Sequence, residues 1–241
     1  MTRHEAVKFV VVRSLGNFLL LFSLYGVGAT FGPALWEETQ YQIAHARGVT
    51  YRVATESPTV QDANPETIET VQLASPSGRG FADVLAGNKD QILIPKDTNF
   101  SIVIPKIGAS SAIIPNIDPE NPGEFLPVLQ HSIAHAKGTV FPGMPGNVYL
   151  FAHSADNWWN VGRYNAVFYL LKNLDPGDEI IVFFEGRRYE YVVREKVITD
   201  PGNVSFLTKP HGGEEQLVLQ TCWPPGTTWQ RLFLIAEPKK K

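Results

Sequence analysis

The stretch LVLQTCWPPGTTWQRLFLIAE, residues 217–237, predicts two β-strands joined by a loop that two prolines stiffen. The only cysteine of the chain, Cys222, ends the first strand, and Arg231 opens the second. From Gln91 up to this stretch, the sequence keeps the same pattern of short apolar runs separated by Pro and Gly. That pattern is typical of an all-β domain.

Seven segments of the C-terminal part predict strands, and one segment predicts a helix. The predicted strands are Phe100–Ile104, Ser111–Ile114, Asn147–His153, Glu179–Phe184, Tyr189–Val197, Gln216–Cys222 and Arg231–Ala236. Val167, Leu170, Leu171 and Leu174 follow helical spacing, and the turn at Asp175-Pro-Gly ends that pattern. This many strands favours a sandwich or a closed barrel, and periodicity alone does not choose between them.

The composition excludes several function classes. With 241 residues and 44% apolar residues the chain can bury a sizeable core, and it is not a disordered protein. The net charge is −3, and no basic stripe interleaved with aromatic residues is present, so nucleic acid is not an expected partner. The sequence has no GxSxG elbow, no phosphate-binding Walker loop and no GxGxxG fingerprint.

The N-terminal region predicts a membrane anchor over residues 15–36, which contain no charged residue and are long enough to span a bilayer. Basic residues precede the run and acidic residues follow it, so we expect a cytoplasmic N-terminus, residues 1–14, and an extracytoplasmic remainder. A signal peptide cleaved near Ala29 is the alternative. Residues 37–90 are predicted to be a polar spacer, although EETQYQIAHAR could extend the helix, and residues 91–241 form the folded domain.

A single cysteine in an exported chain cannot form an internal disulfide, which leaves a reactive thiol or a small buried side chain. Strand alternation places Cys222 on one face with Val218 and Gln220, the more polar face of its strand, and Thr221 on the other. A nucleophilic thiol needs a proton-transfer partner and donors for an oxyanion, so His and Arg are the side chains of interest. Arg231 is then either such a donor or a charge at the strand end.

Histidines at strand ends are candidates for the proton-transfer partner. His153 ends the strand NVYLFAH, where it is either a catalytic acid–base or a residue bonded to a backbone carbonyl, and Asp156 could orient it. The spacing of His131 and His135 would place them on one helical face, but further zinc ligands are lacking. We therefore predict no metal site.

Several motifs together resemble the sortases, the membrane-anchored cysteine transpeptidases of bacterial surfaces. They are IPKIG at 104–108, GTVFPGMPGNVYLFAHS at 138–154, DPGDEI at 175–180, LQTC at 219–222 and Arg231 heading a strand. The resemblance covers residues 92–237 and follows one N-terminal anchor.

This resemblance implies an eight-stranded β-barrel with short helices. Cys222 would attack an LPxTG-like sorting signal of an exported protein, hold it as a thioester and pass it to an amine, on a peptidoglycan precursor or a pilin lysine. His153 would transfer protons, and Arg231 would hold the substrate backbone and the oxyanion. The predicted substrate-binding residues are Ala152, Thr221, Trp223 and Trp229.

The sequence departs from the family pattern at two positions and leaves alternatives open. Val218 stands where the family commonly has Thr, and Ala152 where a glycine often precedes the histidine. We expect no cofactor. Some relatives bind calcium near the groove, but Glu120, Glu124 and Glu185 resemble scattered surface acids. A hydrolytic cysteine endopeptidase and an inactive peptide-binding barrel at the membrane are the competing hypotheses.

Overall fold

The apolar runs form a closed barrel of eight strands, in a computed structural model that describes residues 3–53, 90–154, 167–208 and 213–240. The strands are β1 Thr50–Val53, β2 Asp90–Leu93, β3 Phe100–Ile104, β4 Ala109–Ile117, β5 Ile133–Ala136, β6 Gly146–Phe151, β7 Glu179–Phe184, β8 Arg187–Thr199, β9 Glu215–Trp223 and β10 Gln230–Pro238. The helices are α1 Arg3–Ala46, α2 Pro122–Leu129 and α3 Ser205–Thr208, with 3-10 helices at Pro105–Ile107 and Tyr169–Asn173.

Strand order confirms the predicted barrel and decides against an open sandwich. The barrel runs β10-β8-β7-β3-β4-β5-β6-β9 and closes where β9 pairs antiparallel with β10. The pairs β4–β5 and β6–β9 are parallel, and the other neighbours are antiparallel. One barrel end therefore carries the C-terminal ends of β3, β6, β8 and β9 together with the N-terminal ends of β4, β5, β7 and β10; we call it the upper end.

Side-chain alternation gives the barrel two apolar layers. On β9, Leu217 and Leu219 point into the barrel interior, where they join a large buried cluster with Leu232 and Leu234 of β10. Val218 lies on the outer face in a second cluster, which Phe125 and Val128 of α2 and Phe206 and Leu207 of α3 cover. Cys222 shares this outer face with Val218.

The helices differ in part from the sequence prediction. The predicted helix around Val167–Leu174 is a short 3-10 helix, Tyr169–Asn173, and it ends before Asp175-Pro-Gly as expected. Its flanking residues Phe168 and Leu174 are fully buried and pack into the barrel interior. Helix α2 was not predicted; Asn121 caps it by accepting a hydrogen bond from Gly123 N, 3.1 Å long.

The expectation that His131 and His135 share a helical face is wrong. His135 lies in β5, and His131 lies in the turn after α2. His135 is fully buried: its Nδ1 accepts from Asn116 N at 3.3 Å, and its Nε2 lies 3.0 Å from Val140 O. Burial lowers the pKa of this imidazole, with the Val140 hydrogen bond acting in the opposite direction.

At the N-terminus, α1 contains the whole predicted span of residues 15–36 and its predicted extension except Arg47. One helix among the described residues is apolar enough over a sufficient length to cross a bilayer, at Arg3–Ala29, so the apolar window begins before residue 15. The predicted spacer carries structure at both ends, since α1 reaches Ala46 and β1 pairs parallel with β2. Residues 54–89 lie outside the described part, and the predicted domain boundaries stay predictions.

Candidate active site

Three neighbouring strands bring His153, Cys222 and Arg231 to one level at the upper end. Arg231 pairs directly with Cys222 across the antiparallel β9–β10 ladder. Phe151 pairs with Gln220 in the parallel β6–β9 ladder, and Ala152 N donates to Gln220 O at 3.2 Å. His153 therefore follows β6 at the level of Cys222, one residue before the end of β9. Residues far apart in the chain thus meet in one row, as the motifs predict.

This row opens into a cleft of about 380 Å³ on the outer face of the barrel. One wall is apolar and comes from α2, through Phe125, Leu126 and Leu129. The other wall is the β9–β10 loop, through Gly226, Thr227 and Thr228. The remaining lining residues are Pro119, Phe151, Ala152, His153, Ser154, Gln220, Cys222 and Arg231. The three candidate catalytic side chains share this cleft.

The thiol is partly buried, and its environment acts on its pKa in two directions. Burial raises the pKa of Cys222, because a thiolate loses solvation there, while the positive charge of Arg231 lowers it. Burial has the larger effect, so the pKa of Cys222 lies above its ordinary value. The guanidinium of Arg231 is held at the strand mouth, since its Nη1 donates to Thr228 O at 3.2 Å and to Gln230 O at 3.1 Å.

Thr221 does not line the cleft. Its side chain is only 2% exposed, on the opposite face from Cys222, and its hydroxyl donates to Ala152 O at 3.0 Å. This bond joins the residues that immediately precede Cys222 and His153. The arrangement points to positioning of the two side chains; the predicted contact of Thr221 with substrate stays a prediction.

The other predicted groove residues are distributed differently. Ala152 lines the cleft. Trp223 packs against the interior cluster, and Trp229 is 73% exposed in the loop before β10; neither belongs to the cleft lining. Their predicted role in substrate binding stays a prediction, and the loop between them borders the cleft.

Sequence reasoning missed the apolar wall and a hydrogen bond beneath the cleft. Tyr149 donates its hydroxyl to Gln220 Oε1 at 2.5 Å, and burial raises the pKa of this phenol. The α2 segment NPGEFLPVL carries a usable signal, an Asn before a Pro at the first helical position, which is typical of a helix start. Its internal Pro127 obscures that signal.

The acidic residues considered for calcium do not converge. Glu124 accepts from Asp118 N at 3.2 Å near the start of α2, whereas Glu185 lies in the β7–β8 turn at the opposite barrel end. Within the described ranges, no three His, Cys, Asp or Glu side chains group as metal ligands would. Asp156 lies outside the described residues, so its predicted orientation of His153 stays a prediction.

Comparison with known proteins identifies the family. The sortase domain model matches residues 102–239. The chain is 26% identical over 121 residues to sortase D of Bacillus subtilis (strain 168), an alignment covering 50% of this chain and 52% of that protein. The chain thus spans about half the length of the curated relative that it matches.

Solved structures agree in fold. Sortase C-1 from Actinomyces oris superposes with a TM-score of 0.50 at 25% identity, covering 61% of this chain and 77% of that one. Sortase A from Corynebacterium diphtheriae gives a TM-score of 0.50 at 24% identity, covering 61% of this chain and 63% of that one. Since the family model covers more than half of the chain, and the barrel carries a cysteine, a histidine and an arginine in one cleft, this protein belongs to the sortase family.

Proposed function

We propose that the protein is a membrane-anchored cysteine transpeptidase. It cleaves an LPxTG-like sorting signal of an exported protein and joins the released carboxyl group to an amine. The observation that carries this proposal is the row of His153, Cys222 and Arg231 across three adjacent strands, open to a single cleft.

In the first step the Cys222 thiolate attacks the scissile carbonyl carbon, and the carbonyl oxygen becomes an oxyanion. Arg231 stabilises that oxyanion and holds the substrate backbone, since it pairs with Cys222 across the ladder, its charge acts on the thiol, and two backbone carbonyls hold its guanidinium. The C–N bond then breaks, and protonated His153 gives its proton to the leaving amine. A thioester and a neutral imidazole remain.

In the second step an amine attacks the thioester carbon. His153 takes the proton that this amine loses, and the C–S bond breaks as the new amide forms. The thiolate and the imidazolium are restored, so no other co-reactant is needed. The acceptor is an amine of a peptidoglycan precursor or a pilin lysine.

The cleft walls suit an extended peptide with an apolar residue at one end. The side chains of α2 supply an apolar wall for the Leu of an LPxTG-like signal, and Thr227 and Thr228 supply polar groups on the opposite wall. Trp223 and Trp229, at the two ends of the β9–β10 connection, are the positions at which we expect substrate choice to be set.

The apolar helix supports a location at the cell membrane. α1 would span the bilayer once, and the basic residues before the apolar run favour a cytoplasmic N-terminus. The barrel would then lie outside the cell, where exported substrates are found.

The test is mass spectrometry of the full chain in detergent, incubated with a library of LPxTG-like peptides. We expect an acyl adduct on Cys222 that disappears when an amine is added, with one amide product. Cys222→Ala should give neither. Hydrolysed product at equal yield with and without added amine would instead establish an endopeptidase, and an unlabelled thiol that also resists alkylation would establish an inactive barrel.

The pH dependence of the rate gives a second check. The productive form needs a thiolate and an imidazolium together, so the rate should pass through a maximum with one limb from Cys222 and one from His153. Because burial raises the pKa of Cys222, the thiolate is the minority form near neutral pH, and turnover should be slow there. A profile with a single limb would contradict the pairing.

A further inference from the structure

The end of α1 lies against the barrel end that carries the cleft. Glu38 Oε2 forms an ion pair with Lys172 Nζ of the second 3-10 helix, 2.7 Å long. Three residues further along, Tyr41 packs against the interior cluster of the barrel. Helix α1 is therefore docked on the barrel and does not act as a loose tether.

The contacts of α1 lie on the two 3-10 helices of the upper end. Lys172 lies on the β8 side, since Lys196 of β8 donates to the carbonyls of Lys172 and Leu174, each at 2.7 Å. The last residues of α1, and Arg47 after it, line a cavity of about 360 Å³ with Lys106 and Ile107, between β3 and β4, and with Leu170 of the second 3-10 helix. The apolar part of α1 is not buried against the barrel, so it extends away from this end.

The distance from this contact to the membrane is short. The charge-free run ends at Trp36, about 3 Å along the helix from Glu38. A headgroup layer is about 5–8 Å thick on each side of the hydrocarbon core. The upper end of the barrel therefore lies at the membrane surface if α1 crosses the bilayer.

Exposed apolar side chains occur at this same upper end, beside β8 and β10. Ile198 near the end of β8 is 45% exposed, Val204 after β8 is 59% exposed, and Trp229 before β10 is 73% exposed. β8 and β10 are neighbours, and Ile198 pairs with Leu232, one residue from Arg231. We call these three residues the apolar rim. Tryptophan beside apolar residues is typical of protein surfaces that sit at a membrane interface.

We propose that the apolar rim of Ile198, Val204 and Trp229 rests on the lipid headgroup layer, so that α1 docks the barrel with its catalytic end against the membrane. This inference rests on the membrane anchor of the proposed function. It has a consequence for substrates: the signal and the acceptor amine are reached close to the bilayer surface, which favours membrane-attached donors and acceptors over freely diffusing ones.

The experiment measures the depth of single spin labels in the full chain reconstituted into phospholipid nanodiscs that contain a nickel-chelating lipid. The Cys222→Ala variant removes the only native thiol, so Trp229→Cys carries a single label. The control is Glu185→Cys, an exposed position in the β7–β8 turn at the opposite end, about 20 Å away along β7. We expect the headgroup nickel to relax the label at 229 strongly and the label at 185 little.

Each other result overturns the proposal in a recognisable way. Equal relaxation at the two positions, or stronger relaxation at 185, refutes the orientation. Spin–spin broadening at 229 assigns the rim to contact between copies of this chain. A chain that does not co-purify with the discs refutes the anchor itself. None of these readouts needs turnover, so failure of the transpeptidase proposal in the peptide assay stays a separate result.

Discussion

Replacing Thr221 by Val tests whether this residue positions the catalytic pair or contacts the substrate. The substitution keeps the shape of the side chain and removes the hydroxyl that donates to Ala152 O at 3.0 Å. Both residues are buried, at 2% and 7% exposure, so water cannot replace the lost donor without a rearrangement. The cost in the free energy of unfolding should be about 1–3 kcal/mol, the range for a buried polar group left without its partner.

The catalytic effect follows from the position of that bond. It ties β9 to the end of β6 immediately before Cys222 and His153, so its loss should let the two side chains drift apart at the upper end. If loss of this bond raises the activation free energy by about 1.4 kcal/mol, kcat falls about tenfold while KM is unchanged. Thr221→Ser keeps the hydroxyl and removes a methyl group, so it should retain kcat despite some loss of stability.

The assay combines steady-state kinetics on a cleaved peptide with chemical denaturation of both variants. If Thr221 positions the two side chains, kcat should fall in Thr221→Val and be retained in Thr221→Ser. The free energy of unfolding should fall in both variants. A raised KM with unchanged kcat in Thr221→Val would refute the positioning role and would support a contact between Thr221 and the substrate. Equal losses of kcat in the two variants would show that the interior packing matters and the hydrogen bond does not.

Three further perturbations have defined outcomes. Arg231→Ala should raise the pKa of Cys222 further, because the nearby positive charge is lost, and Arg231→Lys should raise it less; the pH dependence of thiol alkylation reports both. Folding lowers the pKa of His135 below 6.5, so the unfolded chain binds the proton more tightly. The contribution of neutral His135 to the free energy of unfolding should therefore be fully present above about pH 6.5 and decrease at lower pH, by at most about 1.4 kcal/mol per pH unit. In His135→Gln, the free energy of unfolding should depend less on pH in this range. Gly143→Ala should cost about 1–3 kcal/mol in denaturation, because the residue has φ +86° and the added Cβ would lie 2.9 Å from the ring of Tyr189; an unchanged midpoint would contradict the clash.

The barrel strands were predictable where a buried run is bounded by turn residues. Phe100–Ile104 and Glu179–Phe184 were predicted with the boundaries that the structure gives, because Pro or Gly stands close by and the middle of each run is buried. β5 was missed because Ile133–Ala136 is short and contains a histidine, whose burial depends on Asn116 and Val140 from other parts of the chain. No local pattern carries that information.

The candidate site shows the same division between local and distant information. Alternation along β9 already places Thr221 with Leu217 and Leu219 on the face opposite Cys222, and the structure shows that this face is the barrel interior. The family resemblance instead suggested that Thr221 borders the groove, a role that needs an outward side chain. The apolar wall from α2 could not be assigned to the cleft, since it depends on how a separate helix packs over the sheet.

The parallel pairing of β6 with β9 also determines the order in which the site can assemble during folding. Cys222 and Arg231 meet in a local hairpin, nine positions apart, whereas the bond from Thr221 to Ala152 spans 69 positions. Closing the longer loop costs more chain entropy, so the histidine should join only when the barrel closes. A folding chain would then hold Cys222 opposite Arg231 before His153 reaches the cleft. Until the barrel closes, the chain therefore lacks the row of three residues on which the proposed transfer rests.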